Sequence, residues 1–222
     1  MLSEGLLDIA GTAILDDSVL VGYPSARCDA AELTVGDNAH LRSGTVIYAG
    51  SSIGRGLQTG HNVVIREQVR IGDDVSIWSN SVVDYGCVIG DRVKIHSNCY
   101  IAQYTELESD VFLAPGVIIA NDLYPGSRAS GDAMAGPLIR EGAQIGVNVT
   151  LLPYITIGRG AVIGAGAVVT RDVPDGMIAY GNPAAVVRPV PDSRYVEARV
   201  QPARHARLGS GPANGVRSPI RT

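Results

Sequence analysis

The chain has 222 residues, with 18 Lys and Arg against 22 Asp and Glu and a formal net charge of −4. Apolar residues make up 45%, enough for a real core, while 27 Gly and only 5% aromatic residues point to many tight turns and thin, regular packing. No apolar run is long enough for a transmembrane helix, three cysteines are too few and too odd in number for a disulfide framework, and the acidic body argues against a nucleic-acid groove.

Residues 1–34 read as a cap or partial coil, with Gly22-Tyr23-Pro24-Ser25 as a turn. The opening MLSEGLLDIAG has no basic stretch and makes a poor signal peptide. A reducing cytoplasm is the expected compartment.

From Val35 the chain is periodic. Stepping by six gives Val35, Leu41, Ile47, Ile53, Thr59, Ile65, Ile71, Ile77, Val83, Ile89, Ile95, Ile101, Leu107, Leu113 and Ile119, and only Thr59 breaks the aliphatic run. The phase slips, then resumes at Ile139, Ile145, Leu151, Ile157, Ile163 and Val169. Taking the aliphatic residue as position one, position five is small or β-branched at most steps (Ala39, Thr45, Ser51, Val63, Cys87, Cys99), and position two is often Gly (Gly36, Gly54, Gly60, Gly72, Gly90, Gly146, Gly158, Gly164). A period of six fits neither a helix nor a hairpin. It fits short strands joined by tight corners, three to a triangular coil, with coils stacked ~4.8 Å apart by backbone pairing. The predicted fold is an all-β parallel β-solenoid of about seven coils over residues 35–175.

The slip between Ile119 and Ile139 marks a loop over 125–138, extruded at a corner. A long loop that interrupts a strict repeat is often functional. Residues 176–188 leave the repeat and are expected to form a C-terminal cap. Residues 189–222 are rich in Pro, Gly, Arg and Ser and are expected to be a solvated, disordered tail.

Position one points inward, so chemistry belongs to the other positions. Cys87 and Cys99, at position five, read as buried core fillers and poor nucleophiles. The histidines are His40, His61, His96 and His205. None has a second histidine close in sequence and there is no Cys pair, so no metal site is expected. His96 at position two and His61 and Asn121 at position three should face outward, where most polar side chains are simply solvated. Asn121 opens the loop. His96 lies about 1.4 coils from it, ~7 Å along the axis, and His61 ~15 Å. His96 is therefore the better candidate for chemistry near Asn121. The two occupy different faces, so contact between them calls for a neighbouring subunit. His61 suits a distant part of a long substrate, or an interface.

The segment IGVNVTLLPYITIGRGAVIGAGAVVTRDVP at 145–174 and GNPAAVVR at 181–188 resemble the hexapeptide-repeat acyltransferases, over residues 15–188 in all. GHNVVIRE at 60–67, IHSNCYIAQYT at 95–105 and DVFLAPGVIIANDLYP at 110–125 look most like the members that acetylate amino groups of nucleotide-linked sugars. The resemblance implies a left-handed β-helix, although parallel crossovers are generally right-handed. It also implies a homotrimer with acetyl-CoA as co-substrate in grooves between subunits. Gly146 and Gly164 would border that groove, and Arg171 and Arg188 would lie near the phosphates.

The implied activity is direct acetyl transfer to an amino sugar, with His96 as general base and Asn121 orienting the amine. His61, Asn98, Asp122 and Tyr124 are the expected substrate contacts. No metal, nucleic acid or membrane is involved in this reading. Two departures stand out. The related sugar O-acetyltransferases place a catalytic histidine before a proline in the segment matching 119–125, and this chain has Asn121 and no histidine there. Ala185 stands where many relatives carry lysine. The alternatives are transfer to a sugar hydroxyl or a natural-product amine, and a non-catalytic assembly platform.

Overall fold

In a computed structural model, residues 7–28, 32–127, 130 and 133–191 are described. The tail expected at 189–222 falls outside the described residues from 192 onward, as do residues 1–6.

The chain winds as a left-handed parallel β-helix, most of its strands two residues long, stacked into three sheets. The first sheet runs from Leu7–Ile9 through Leu33–Val35, Ser52–Ile53 and onward to Thr156–Ile157. The second runs from Ile14–Leu15 through His40–Leu41 to Val162–Ile163, and the third from Leu20–Tyr23 through Val46–Tyr48 to Val168–Val169. Seven coils follow Leu33, and residues 7–23 add an eighth in front of them, with Ile9 opposite Val35, Leu15 opposite Leu41 and Val21 opposite Ile47. Register is strict. Ile71 sits between Ile53 and Ile89, and Ile77 between Thr59 and Ile95.

The repeat explains the packing. Position-one residues fill the axis: Leu41, Ile47, Ile65, Ile77, Ile95, Ile101 and Leu113 are fully buried. Position five closes the corner from inside, with Ala39, Thr45, Val63, Ser81 and Cys87 also fully buried. Thr59, the break in the aliphatic run, is buried too, and its hydroxyl pairs with Thr45 Oγ1 at 3.0 Å and accepts from the Arg42 N–H at 2.9 Å. Truncating one buried position-one isoleucine to alanine costs ~2–5 kcal/mol.

Position four carries a second rule. Each corner residue there has a positive φ, from Asn38 (58°) and Gly44 (76°) through Asn62, Asp74, Asn80 and Asn98 to Asn148 and Tyr154. The left-handed conformation favours Gly and Asn. Asp122 occupies this place where the loop departs and does not adopt it.

The repeat ends at Val168–Val169. Met177–Gly181 then continues the second sheet parallel to Val162–Ile163, and Ala184–Pro189 pairs with it antiparallel. Among the described residues no helix is long and apolar enough to cross a membrane.

Candidate active site

The three faces differ at position six, the strand residue that points outward. On the third sheet it reads Leu20, Val46, Val64, Val82, Tyr100, Ile118, Thr150 and Val168, almost wholly apolar. The second sheet is mixed, with Ile14, His40, Gln58, Ser76, Lys94, Phe112, Gln144 and Val162, and so is the first, with Thr34, Ser52, Arg70, Val88, Glu106, Leu138 and Thr156. The apolar third face is bordered by two corners, and these hold the candidate residues.

The corner leading from the second to the third sheet carries His61 and His96. His96 is half-buried, with its ring against Phe112 (centroids 4.9 Å apart). Its backbone is fixed by its N–H to Leu113 O and by Ser81 Oγ donating to its carbonyl, both at 2.9 Å. Among the described residues neither ring nitrogen has a hydrogen-bond partner. His61 is exposed on the same corner, and its N–H donates to Ser79 Oγ at 3.0 Å. Asn98 is the left-handed corner residue (φ 62°) two places after His96.

The corner leading from the third sheet to the first is a stack of charged, amide and aromatic side chains. Its deepest groups are Glu67 and Asp84, both buried. Glu67 accepts from Arg66 Nε at 2.9 Å and Nη2 at 3.1 Å, and Arg27 Nε lies 3.5 Å away. Burial pushes the Glu67 carboxyl up, but the hydrogen bonds and charge of Arg66 outweigh it and hold the group below its ordinary value. The two guanidiniums stack on aromatic rings, Arg66 over Tyr48 at 4.8 Å and Arg27 over Tyr85 at 4.3 Å. Asp84 Oδ2 accepts from Tyr100 Oη at 2.7 Å and Gln103 Nε2 at 2.5 Å, and Oδ1 from the Tyr85 N–H at 2.8 Å. Burial, then the bond to Asp84, pushes the Tyr100 phenol up to about 12.

Asn121 continues this stack. Its Nδ2 donates to Gln103 Oε1 at 2.5 Å and to Met134 Sδ at 3.1 Å, and its backbone carbonyl accepts from the Ala135 N–H at 3.1 Å. The returning limb of the loop thus folds onto the residue that opens it. Asp122 organises the loop, accepting from the Tyr124 N–H at 2.7 Å and from Ser130 Oγ. Tyr124 itself stands 75% exposed.

His96 and Asn121 therefore share one apolar face but sit at its opposite borders, and one chain does not bring them together. Cys87 and Cys99 are buried, their thiols donating to Ala102 O at 3.1 Å and Ala114 O at 3.3 Å. Burial pushes Cys87 up to about 12. No group of three or more His, Cys, Asp and Glu close enough to hold a metal occurs among the described residues.

Residues 50–84, 86–121 and 136–171 match the family described as bacterial transferase hexapeptide (six repeats), and residues 68–103 match the hexapeptide repeat of succinyl-transferase. Over these residues the repeats of the β-helix are those of the hexapeptide-repeat transferase family. Among curated relatives, the bifunctional protein GlmU of Rubrobacter xylanophilus is 38% identical over 103 residues, 46% of this chain and 20% of that protein. A Schizosaccharomyces pombe protein named as an acetyltransferase is 41% identical over 86 residues, 37% of this chain and 42% of its own. A Staphylococcus aureus protein named likewise is 48% identical over 64 residues, 28% of this chain and 32% of its own. The chain thus spans less than half the length of each.

In this hexapeptide-repeat domain Ala114, Gly146 and Gly164 continue the corner of His96 coil by coil. A Cβ at Gly146 would lie 2.7 Å from Ala165 N and from Ile163 O, and one at Gly164 2.7 Å from Tyr180 Cβ. Close stacking alone therefore calls for glycine, and it leaves bare backbone along this corner. Arg171 is exposed just past the third sheet and Arg188 on the closing strand. Among the described residues neither makes an ion pair, and Arg188 Nη1 donates to Pro189 O at 3.4 Å.

Sequence reasoning missed Arg66, Glu67, Asp84, Tyr100 and Gln103. One signal was available: Arg66 and Asp84 occupy position two, where the repeat often places Gly.

Proposed function

We propose that the protein is an acetyltransferase that moves the acetyl group of acetyl-CoA to an amino group of a sugar, nucleotide-linked, in a homotrimer. The observation that carries this reading is the placement of an unpartnered imidazole and a fixed amide at the two borders of one apolar face. Turning that face toward a common axis in three copies removes it from water, and sets the His96 corner of one subunit against the Asn121 corner of the next. The family match supports the transferase class, and the relatives named as acetyltransferases support acetyl-CoA as donor.

His96 takes the proton that the attacking nitrogen sheds as the new N–C bond forms, and returns it to the departing sulfur as the thioester C–S bond breaks, so that CoA leaves as the thiol. An imidazole suits that task at neutral pH. Asn121 Oδ1 accepts from the acceptor and orients its lone pair. Backbone N–H groups of a neighbouring coil hold the oxyanion. The bare backbone at Gly146 and Gly164 gives the pantetheine arm a smooth track, and Arg171 and Arg188 meet phosphate charge at its far end. His61, Asn98, Asp122 and Tyr124 border the acceptor side. Cys87 and Cys99 are buried with their thiols protonated, which supports direct transfer over a cysteine acyl-enzyme.

Calorimetric titration with acetyl-CoA tests the class. Saturable binding near one site per chain is expected. Following thiol release with amine and hydroxyl acceptors then tests the chemistry. Release with hydroxyl acceptors alone overturns N-transfer, and no binding by a folded trimer overturns the enzyme reading.

A further inference from the structure

The stack beneath Asn121 is directional. Asp84 is 5% exposed and bonded on both oxygens, with Arg66 Nη1 3.8 Å away. An ionised carboxylate only accepts. The group of Gln103 that faces it must therefore be the NH₂, which turns Gln103 Oε1 to the other side. That oxygen can in turn only accept, so Asn121 must present its own NH₂ to it. The second Nδ2 proton points at Met134 Sδ. Both donors of the Asn121 amide are thus taken. Its Oδ1 accepts from no described group, and it is not a closed-off atom, since Arg140 Nε is the buried side-chain N or O atom without a partner among the described residues.

We propose that Asp84 and Gln103 are positioning residues that fix the polarity of the Asn121 amide, so that it meets the acceptor solely as a hydrogen-bond acceptor and admits substrates that present an N–H or O–H at that point. An amide free to flip would offer a donor half of the time, and would equally hold a carbonyl, carboxylate or phosphate oxygen. The locked amide rejects those, because two oxygens would face each other with no proton between them. The charge that sets this selectivity lies two hydrogen bonds away from Asn121 and three from the substrate. The inference rests on the acetyltransferase reading for its catalytic meaning, but the lock itself does not.

The test uses the full-length protein and three variants. Gln103→Leu removes the acceptor that holds Nδ2. Gln103→Glu together with Asp84→Asn exchanges the two groups: the Asn introduced at 84 donates to the Glu at 103, which still accepts from Asn121, with shape and charge conserved. Asn38→Asp, on an exposed corner away from the site, is the control. The first readout is solvent exchange of the Asn121 side-chain NH₂ by NMR, in the absence of any ligand. Slow exchange is expected in the unsubstituted protein, about tenfold faster exchange in Gln103→Leu, and recovery in the exchanged pair. Exchange as fast as at Asn38, or no change in Gln103→Leu, overturns the lock.

The second readout is the split of KM values, on an acceptor with which the unsubstituted protein releases CoA thiol. Gln103→Leu should raise the acceptor KM about tenfold and leave the acetyl-CoA KM unchanged, with recovery in the exchanged pair. Equal rises in both KM values, or a rise that the pair does not reverse while its melting temperature recovers, would mean a merely structural role. If the unsubstituted protein binds no acetyl-CoA, the acetyltransferase reading falls, and the lock stands or falls on the exchange data.

Discussion

Two corners of the same coil obey the same six-residue repeat and end differently. The corner after the first sheet has glycine at position two in most coils: Gly36, Gly54, Gly72 and Gly90. A Cβ there would meet backbone of the next coil, at 2.7 Å from Gly72 O for Gly54 and 2.6 Å from Ser109 N for Gly90. The corner after the third sheet has Arg66 and Asp84 at the same position; Arg66 pairs with its neighbour Glu67, and Asp84 reaches across coils to Tyr100 and Gln103. Glycine at position two is thus a stacking solution, and the third corner, which has none from Tyr48 to Thr170, is built on side chains instead. Salt bridges do occur on the first corner, as between Arg92 and Asp110 at 2.7 Å, but they are exposed and contribute little.

The largest effect lies at the remaining corner, the one leading from the second sheet to the third. His96→Ala should lower kcat by ~10²–10⁴ and leave the melting temperature in place, as measured by thiol release and thermal unfolding. An unchanged kcat would place the proton transfer on the substrate.

Arg66→Met comes next. It leaves buried Glu67 without its closest cation, and a broken buried pair costs ~3 kcal/mol. Because the folded Glu67 carboxyl lies below its ordinary 4.5, its contribution is fully present above that value and lost as the pH falls through the folded pKa. Thermal unfolding from pH 7 down to pH 3 should show this acid arm in the unsubstituted protein. In Arg66→Met the arm should be smaller, since the pair is already broken at neutral pH.

The solenoid was legible because its signal is local and repeated: aliphatic residues at position one and small ones at position five recur every six residues. Position four was equally periodic, with Asn38, Gly44, Gly50, Gly56 and Asn62 in succession, but hydrophobic periodicity gives turn chemistry no weight. The first coil also keeps the period, at Ile9, Leu15 and Val21, and is hidden by the excursion before Leu33 that shifts its phase. Of the site, Asn121 was legible from the broken repeat. Its support was not. Asp84 reaches Tyr100 and Gln103, 16 and 19 residues away, and Gln103 reaches Asn121, 18 residues on. Such pairs exist only once the coil length is known to the residue.

Gly90→Ala sharpens the comparison from the other side. The added Cβ meets Ser109 N at 2.6 Å, backbone that is itself tied into the next coil, so relief needs the coils to part. A loss of ~2 kcal/mol is expected, typical of overpacking. A loss under a few tenths would mean that position-two glycine is dispensable, and that Arg66 and Asp84 carry no special meaning.

The smallest effect is a gain, at position four. Gln68 is exposed and holds φ 60°, between Gly50 and Gly86 in the neighbouring coils. A glutamine in the left-handed region carries strain of ~1 kcal/mol, which Asn relieves in part through its short polar side chain. Gln68→Asn should therefore stabilise by ~0.5 kcal/mol and raise the melting temperature by about 1–2 °C. Gly would relieve more strain but loosens the unfolded chain, so Gln68→Gly should gain less than Gln68→Asn. The order of the two variants is the sharper reading: it separates strain in the folded corner from freedom in the unfolded chain, and a loss with both would mean that the corner is set by its neighbours and not by its own residue.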